Sequence, residues 1–287
     1  MSLPVVALIG RPNVGKSTLL NAIVGAPVAT TSSKPQTTRR AIRGIVTRED
    51  AQLVLVDTPG VHRPRTLLGQ RLNEVVYRTW AGVDAVAVCL PADEDFGTGD
   101  EFIIQRLRDA TCPLVAVVTK ADTVSREALA AALLRISALE ARLGITWAHI
   151  VPVSARAGSG VPALVDVLCS LLPPGPVLFP GGEVTDDDTD SSIADIVREA
   201  ALERLHDELP HSVATMVEGD DSVPLAERCI TVEPVEVGRC RPAVQQQQGG
   251  GTPWTIDGAH ERAASSGQFD DATFRQCGRL RFVDGGG

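Results

Sequence analysis

The sequence predicts an α/β protein whose first part is built on a mainly parallel β-sheet. Short β-branched apolar runs alternate along the chain with longer segments of helical periodicity, and the apolar runs are continuous rather than interrupted by polar residues. Strands that are apolar on both faces belong in a sheet that helices cover on both sides. Ligands bind such sheets at the carboxyl ends of the strands, so we expect the functional residues in the loops that follow the strands.

Five strands and five helices follow from this pattern. The strands are expected over residues 5–9, 53–56, 85–90, 114–118 and 149–153, and the helices over residues 16–24, 68–81, 100–109, 126–143 and 162–172. Pro173, Pro174 and Pro176 then end the helical pattern, and runs of proline and glycine commonly separate domains. We therefore expect the first domain to end at residue 175.

The composition limits the kind of protein this is. The formal net charge is −9, so contact with a nucleic acid would need a local basic patch. Apolar residues make up 44% of the chain and aromatic residues only 3%, which predicts an aliphatic core. The six cysteines form no C-x-x-C pair, which favours free thiols in a reducing compartment. Because no apolar run could span a membrane and the N-terminus lacks the start of a signal peptide, we expect a cytoplasmic protein.

The loop after the first predicted strand has the pattern of a phosphate-binding loop. It reads Gly10-Arg11-Pro12-Asn13-Val14-Gly15-Lys16-Ser17, followed by Thr18, and it fits G-x-x-x-x-G-K-[ST] between a strand and a helix. Backbone N–H groups of such a loop, together with the helix N-terminus, bind phosphates. Lys16 would bridge the β- and γ-phosphates, and Ser17 would bind Mg²⁺ through its hydroxyl. A chance glycine-rich loop is the alternative, which the strand and helix on either side disfavour.

A second motif, Asp57-Thr58-Pro59-Gly60, ends the second apolar run. An aspartate at the carboxyl end of a strand can hold Mg²⁺, usually through water, and the Gly60 N–H can meet a γ-phosphate. An ordinary turn would have a similar composition. The phosphate loop before it makes the nucleotide interpretation the stronger one.

A polar segment, Lys34-Pro35-Gln36-Thr37-Thr38-Arg39-Arg40, lies between these two motifs. A threonine that binds the metal only when the γ-phosphate is present would make this segment a switch. The alternative is a plain surface loop.

Two further loops predict recognition of guanine. Thr119-Lys120-Ala121-Asp122 ends the fourth predicted strand, and Ser154-Ala155 ends the fifth. The Asp122 carboxylate can accept the N1–H and N2–H of guanine, a pair of donors that adenine lacks, so the base should be strongly discriminated. The stem of Lys120 can lie over the base, and the Ala155 N–H can donate to guanine O6. These features disfavour a P-loop ATPase or kinase.

These five elements in this order resemble those of the TRAFAC-class, Era/TrmE-like GTPases. The segments GRPNVGKSTLLNAIVG, PQTTR, DTPGVHRPRTLLG and ELPHS are similar to the Era family in particular, and the resemblance covers about residues 4–218. It implies an Era-type G domain that binds GTP or GDP with Mg²⁺ and hydrolyses GTP, joined to a KH domain that binds 16S rRNA during maturation of the small ribosomal subunit. It also implies a monomer and allows peripheral association with the membrane.

The resemblance also assigns roles to individual residues. It implies that Lys16, Thr38 and Gly60 serve catalysis, that Thr38 rather than Thr37 joins Ser17 and Asp57 in binding Mg²⁺, and that Asn13 is a K⁺ ligand. We therefore expect K⁺ to stimulate hydrolysis more than Na⁺ does. Val61 stands where some GTPases carry a glutamine that orients water, so we expect slow intrinsic turnover.

The chain departs from the family in two places. The guanine motif of the family is N-K-x-D, and Thr119 replaces its asparagine. The Thr119 hydroxyl could still tie this loop to the phosphate loop, but it lacks the amide contact with the base, so we expect GTP to bind with some loss.

The second departure concerns the C-terminal region. Residues 176–218 are expected to be a linker and the start of a KH-like domain, with helical periodicity over 193–209. In residues 219–287 we find no domain and no G-x-x-G loop in a helical setting, only a glycine-rich tract at 249–251. A frameshifted product and a disordered tail are the two interpretations, and either gives the alternative function of a GTPase module that has lost RNA binding.

Overall fold

The computed structural model describes residues 4–31, 40–61, 76, 82–204, 213–218, 229–234 and 280–282. The chain forms two compact units, Met1–Asp186 and Asp187–Gly287.

The described part of the first unit contains one six-stranded sheet and four α-helices. The strands are β1 (Val5–Ile9), β2 (Ile42–Thr47), β3 (Gln52–Asp57), β4 (Ala85–Pro91), β5 (Leu114–Thr119) and β6 (Trp147–Pro152). Their order is β2-β3-β1-β4-β5-β6, and only β2 runs antiparallel to its neighbour. The helices are α1 (Lys16–Val24), α2 (Thr98–Arg106), α3 (Arg126–Leu143) and α4 (Val161–Leu171). The predicted α/β class with a mainly parallel sheet is confirmed.

Helices cover both faces of this sheet and create two apolar clusters. Successive residues of β1 point to opposite faces: Val6 and Leu8 join α1 and α4 in one cluster, and Ala7 and Ile9 join α2 and α3 in the other. This burial on both faces explains why the strands read as continuous apolar runs. Among the described residues, Trp147 is the one aromatic side chain in the buried core, so the predicted aliphatic core is confirmed.

Strand β2 is an element that the sequence analysis did not predict. It lies at the edge of the sheet, and Gly44 interrupts its apolar pattern. A Cβ at Gly44 would lie 2.7 Å from both Leu20 Cδ1 and Val24 Cγ2, so helix α1 packs against β2 only because position 44 has no side chain. A glycine that serves packing therefore looked like a break in the strand.

The helix boundaries agree with the predictions to within a few residues. Helices α1 and α3 have the predicted bounds, and α4 begins and ends one residue early. Helix α2 begins at Thr98 because the Gly97 N–H donates to Asp100 Oδ2 at 3.0 Å, an N-terminal cap that the prediction overlooked. The predicted helix over 68–81 lies outside the described residues except for Val76, which is helical.

The chain after α4 returns along the β2–β3 hairpin before the first unit ends. The buried side chain of Gln52 accepts from the Leu178 and Phe179 N–H groups at 2.8 and 3.1 Å and donates to the Phe179 carbonyl at 3.0 Å. Further along, the Val184 carbonyl accepts from the Ile45 N–H at 2.8 Å. The first unit therefore extends past the predicted boundary at residue 175 to Asp186.

The second unit contains helix α5 (Thr189–Arg204) and strands β7 (Val213–Glu218), β8 (Cys229–Pro234) and β9 (Leu280–Phe282). The strands form a sheet in which β7 and β8 are antiparallel and β8 and β9 are parallel. Strands β8 and β9 lie within 219–287, where no domain was predicted, and the rest of that region lies outside the described residues. The KH-like domain and the frameshifted or disordered tail stay predictions. Among the described helices, none combines the length and apolar character that crossing a membrane requires.

Candidate functional site

A cleft of about 570 Å³ opens at the carboxyl ends of the parallel strands. This volume falls within the usual range for sites that bind small molecules and cofactors, about 300–1,000 Å³. Its position is the one that the parallel sheet predicts. The predicted site residues that line it are Pro12, Asn13, Gly15, Lys16, Ser17, Thr18, Gly60, Thr119, Lys120, Asp122 and Ala155.

The loop between β1 and α1 is folded around the side chain of Lys16. Its ammonium group donates to the carbonyls of Gly10 and Arg11 at 3.2 and 2.9 Å. Asn13 and Gly15 turn the backbone with φ values of 63° and 96°. Burial lowers the pKa of Lys16, while the charge of Asp57 acts in the opposite direction. A bound phosphate would add negative charge beside the ammonium group and favour its charged form.

Gly10 lets this loop lie directly on strand β4. A Cβ at Gly10 would lie 2.8 Å from the Cys89 carbonyl oxygen and 2.8 Å from Val14 Cγ2. Cys89 is fully buried, and burial raises the pKa of its thiol to about 12. The thiol is therefore a neutral packing group beneath the loop.

Ser17 and Asp57 come together beside the cleft. The Ser17 hydroxyl donates to Asp57 Oδ2 at 2.5 Å, and Asp57 is fully buried at the end of β3. A hydroxyl and one carboxylate are the oxygen donors that Mg²⁺ takes from proteins when phosphates and water complete its coordination. The two residues therefore fit the metal that the sequence analysis assigned to them.

The turn after Asp57 is held firmly against the phosphate loop. The Thr58 hydroxyl donates to the Leu8 carbonyl at 2.7 Å, and the Val61 N–H donates to the Gly10 carbonyl at 3.1 Å. A Cβ at Gly60 would lie 2.6 Å from the Pro12 nitrogen, so only glycine allows this contact. The side chain of Val61 is fully buried in the core and cannot orient a water molecule in the cleft.

The loop after β5 is attached to the phosphate loop through Thr119. Its hydroxyl donates to the Val14 carbonyl at 2.6 Å in a buried position, which is the tie that the sequence analysis expected from this residue. Lys120 follows with a φ of 56°. The loop is also attached to the end of β6, because the Ala121 N–H donates to the carbonyl of Val153, the residue after that strand, at 3.1 Å.

Asp122 presents an ionised carboxylate at the cleft. A hydrogen bond from the Ser154 hydroxyl and backbone hydrogen bonding lower its pKa. Ser154 is buried and in turn accepts from the Ala157 N–H at 3.0 Å, so the loops after β5 and β6 support each other. Ala155 lines the cleft next to this pair.

Several predicted site residues do not line the cleft. They are Arg11, whose guanidinium group contacts Glu94 and Asp100 instead, and Gly10, Val14, Asp57, Thr58, Pro59 and Ser154. Thr37 and Thr38 lie outside the described residues, so their roles stay predictions. Asn13 is among the described residues, and its predicted contact with K⁺ also stays a prediction.

Five residues that line the cleft were not predicted from the sequence: Thr30, Thr31, Asp93, Thr123 and Arg156. Thr30 and Thr31 are brought there by Asn21 on α1, whose side-chain oxygen accepts from Val28 and Ala29 at 3.0 and 2.8 Å. The Thr30 hydroxyl is buried and has no hydrogen-bond partner among the described residues. An asparagine inside an apolar helix was the available signal for this segment.

Comparison with known proteins identifies relatives of the chain. Residues 5–120 match a family model described as 50S ribosome-binding GTPase. GTPase Era of Streptomyces coelicolor is 57% identical over 211 residues, covering 73% of this chain and 67% of that protein. GTPase Era of a Nocardioides species is 56% identical over 214 residues, covering 74% of this chain and 68% of that protein.

Two solved structures are similar to most of the chain. The crystal structure of Era in complex with MgGDPNP and nucleotides 1506–1542 of 16S ribosomal RNA gives a TM-score of 0.71 at 30% identity, over 81% of this chain and 77% of that one. An Aquifex aeolicus Era variant bound to GDP and aluminium fluoride gives 0.72 at 30% identity, over 81% and 78% of the two chains.

Proposed function

Since this chain belongs to the Era family of GTPases, we propose that it uses GTP hydrolysis to control binding to 16S rRNA during maturation of the small ribosomal subunit. It is an enzyme that converts GTP to GDP and phosphate in the presence of Mg²⁺. The observation that carries the proposal is the likeness to an Era that was crystallised with MgGDPNP and 16S rRNA. The protein would act in the cytoplasm, where ribosomal subunits mature.

The phosphate end of the cleft would work by positioning and by neutralising charge. Lys16 would exchange the carbonyls of Gly10 and Arg11 for oxygens of the β- and γ-phosphates. The Gly60 N–H would hold the γ-phosphate while water attacks its phosphorus and the bond to GDP breaks. Because the buried Val61 cannot orient this water, turnover without a partner should be slow.

Ser17 and Asp57 would hold Mg²⁺, with Thr38 as the third predicted ligand. When bound, the metal neutralises charge on the phosphate oxygens. The Ser17 hydroxyl already points at the Asp57 carboxylate, so the two donors need little movement to share one cation.

The base end would recognise guanine through Asp122, whose lowered pKa keeps it ready to accept the N1–H and N2–H groups. The Ala155 N–H would donate to O6, and the stem of Lys120 would lie along the ring. Thr119 would contribute the tie to the phosphate loop in place of a contact with the base.

The proposed role of Asn13 as a K⁺ ligand predicts a dependence on the monovalent cation. Asn13 belongs to the predicted phosphate loop and lines the cleft. We expect faster GTP hydrolysis in KCl than in NaCl at equal ionic strength, measured as phosphate release. Equal rates in the two salts would remove K⁺ from the mechanism.

RNA binding by the purified full chain tests the proposed function directly. We would titrate the protein into a fluorescently labelled RNA of the 3′ end of 16S rRNA, with either GDPNP or GDP present, and follow anisotropy. A shuffled RNA of equal length is the control. We expect the GDPNP form to bind the authentic sequence at least about tenfold more tightly than the GDP form does, a coupling typical of ligand-controlled binding.

The contrary result has a clear meaning for this chain. A net charge of −9 makes non-specific binding weak at physiological salt. Binding that ignores both the RNA sequence and the nucleotide would overturn the ribosomal proposal. The alternative of a GTPase module without an RNA partner would then be the function that remains.

A further inference from the structure

An acidic loop outside all the sequence motifs connects the two ends of the nucleotide cleft. This loop follows β4 and contains Asp93 and Glu94. Glu94 Oε2 accepts from Arg11 Nη2 of the phosphate loop at 2.9 Å. Its Oε1 accepts at 3.4 Å from Lys120 Nζ in the loop after β5, Lys120–Asp122, which we call the base loop. Asp93 also accepts from Lys120, at 3.2 Å. One carboxylate therefore bridges the phosphate loop and the base loop.

The Arg11 side of this bridge has a rigid anchor. Arg11 Nε donates to Asp100 Oδ1 at 2.8 Å, and Asp100 is almost fully buried, where it also caps α2. Gly99 leaves the room that the arginine stem needs, since a Cβ there would lie 2.7 Å from Arg11 Cδ. Arg11 is thus held in one orientation and presents its outer nitrogen to Glu94.

Glu94 is ionised in this setting. Burial acts to raise its pKa, but hydrogen bonds and the charges of Arg11 and Lys120 outweigh burial and lower the pKa. The bridge is therefore an ionic one at neutral pH, and its 2.9 Å contact with Arg11 has the length of a charge-assisted hydrogen bond.

We propose that Glu94 is a positioning residue for guanine nucleotides, because its carboxylate holds the phosphate loop and the base loop at a fixed separation. A nucleotide must reach Lys16 with its phosphates and Asp122 with its base, so its affinity depends on that separation. Glu94 itself does not line the cleft. The inference rests on the proposed assignment of the cleft to a guanine nucleotide.

Long-range electrostatics alone predicts that neutralising Glu94 changes nucleotide affinity in the opposite direction. Glu94 is a negative charge near a site for phosphates, so its neutralisation should tighten nucleotide binding if only long-range charge mattered. If the bridge positions the loops, neutralisation should weaken binding. The sign of the change in affinity therefore separates the two accounts.

The variants Glu94→Gln and Asp95→Asn form a matched pair. Asp95 is the next residue, its side chain is 97% exposed, and its contact with Arg135 is 4.0 Å long, so its variant removes the same charge without touching the bridge. The rate of release of a fluorescent GDP analogue reports affinity. Hydrolysis of saturating GTP in a single turnover reports the chemical step, and thermal unfolding reports integrity.

We expect Glu94→Gln to release GDP about two- to fivefold faster, the fold-change that corresponds to the upper part of the usual strength of an exposed ion pair. Single-turnover hydrolysis should stay within about twofold of wild type, because Glu94 does not line the cleft, whereas Lys16, Ser17 and Gly60 do. Asp95→Asn should release GDP at the wild-type rate or more slowly. In an Arg11→Gln background, Glu94→Gln should add little, since the bridge is already broken.

Two results would overturn the inference. One is release from Glu94→Gln at the wild-type rate or more slowly, and the other is equally accelerated release from Asp95→Asn. A wild-type chain that fails to bind GDP at all would overturn the assignment of the cleft as well, so the two failures are distinguishable.

Discussion

Replacing Thr119 with valine tests whether the buried tie between the two nucleotide-binding loops stabilises the domain. Valine has nearly the shape of threonine but lacks the hydroxyl, so the change removes the 2.6 Å hydrogen bond to the Val14 carbonyl and little else. Thr119 is 3% exposed and Val14 is fully buried, so water cannot readily replace the lost donor.

The size of the expected loss in stability follows from this burial. Leaving a buried carbonyl without a donor costs about 1–3 kcal/mol, more than the net value of an ordinary hydrogen bond. We therefore expect Thr119→Val to lower the free energy of unfolding by about 1–3 kcal/mol. If the tie also holds the loops at the separation that the nucleotide needs, part of the same free energy will appear as weaker GDP binding. Each 1.4 kcal/mol corresponds to about a tenfold change in affinity.

Urea unfolding of the nucleotide-free protein measures the first effect, and calorimetric titration with GDP measures the second. Thr119→Ser is the control, because it keeps the hydroxyl and loses only a methyl group. Serine should preserve GDP binding, and valine should reduce it. Equal stability of the wild type and Thr119→Val would refute the reasoning, as would a serine variant that loses as much GDP affinity as valine does.

Three further predictions concern neighbouring parts of the site. Gly60→Ala should slow single-turnover GTP hydrolysis by at least about tenfold while GDP still binds, because its Cβ would meet the Pro12 nitrogen at 2.6 Å and displace a loop that we propose contacts the γ-phosphate; a wild-type rate would contradict this. Burial raises the pKa of Cys89 from 9.0 to about 12, so the unfolded chain loses the thiol proton first and wild-type stability falls as the pH rises from 9 towards 12. Relative to that of Cys89→Ala, the free energy of unfolding of the wild type should fall by about 1.4 kcal/mol per pH unit above pH 9. Urea unfolding measures this, and a difference between the two proteins that stays constant up to pH 10 would disprove the raised pKa of Cys89. Asp122→Asn should weaken GDP binding by at least about a hundredfold and favour xanthosine diphosphate, whose 2-oxo group can accept from the new amide; competition between the two nucleotides measures the preference.

Most of the first unit could be predicted because its signals are local. Continuous apolar runs identify strands buried on both faces, and the phosphate-loop pattern identifies the start of α1 at Lys16. Edge strand β2 could not be predicted in the same way, since the packing reason for Gly44 lies in α1. A strand or helix can therefore be predicted from local sequence when its own residues determine how it packs.

The candidate site was predictable wherever a motif specifies a backbone shape. Lys16, Ser17 and Asp122 line one cleft because motif spacing and strand order together bring their loops to one edge of the sheet. Side-chain partners from distant parts of the chain were not predictable. Arg11 stands 89 residues before Asp100 in the sequence, and no spacing rule connects them. The Thr30 segment was missed for the same reason, because it depends on the side chain of Asn21.

The replacement of the family asparagine by Thr119 has a consequence that the structure makes concrete. The threonine keeps the loop attached to Val14 but offers no amide to the base, so we expect guanine recognition to depend more heavily on Lys120 and Asp122. The ammonium group of Lys120 is held by Asp93 and Glu94, and Asp122 is held by Ser154. The residues that orient these two side chains should therefore matter more in this chain than in relatives that keep the asparagine. A site that loses one direct contact with its ligand depends more on the precision of those that remain, and here two carboxylates outside the recognised motifs, together with the Ser154 hydroxyl, would supply that precision.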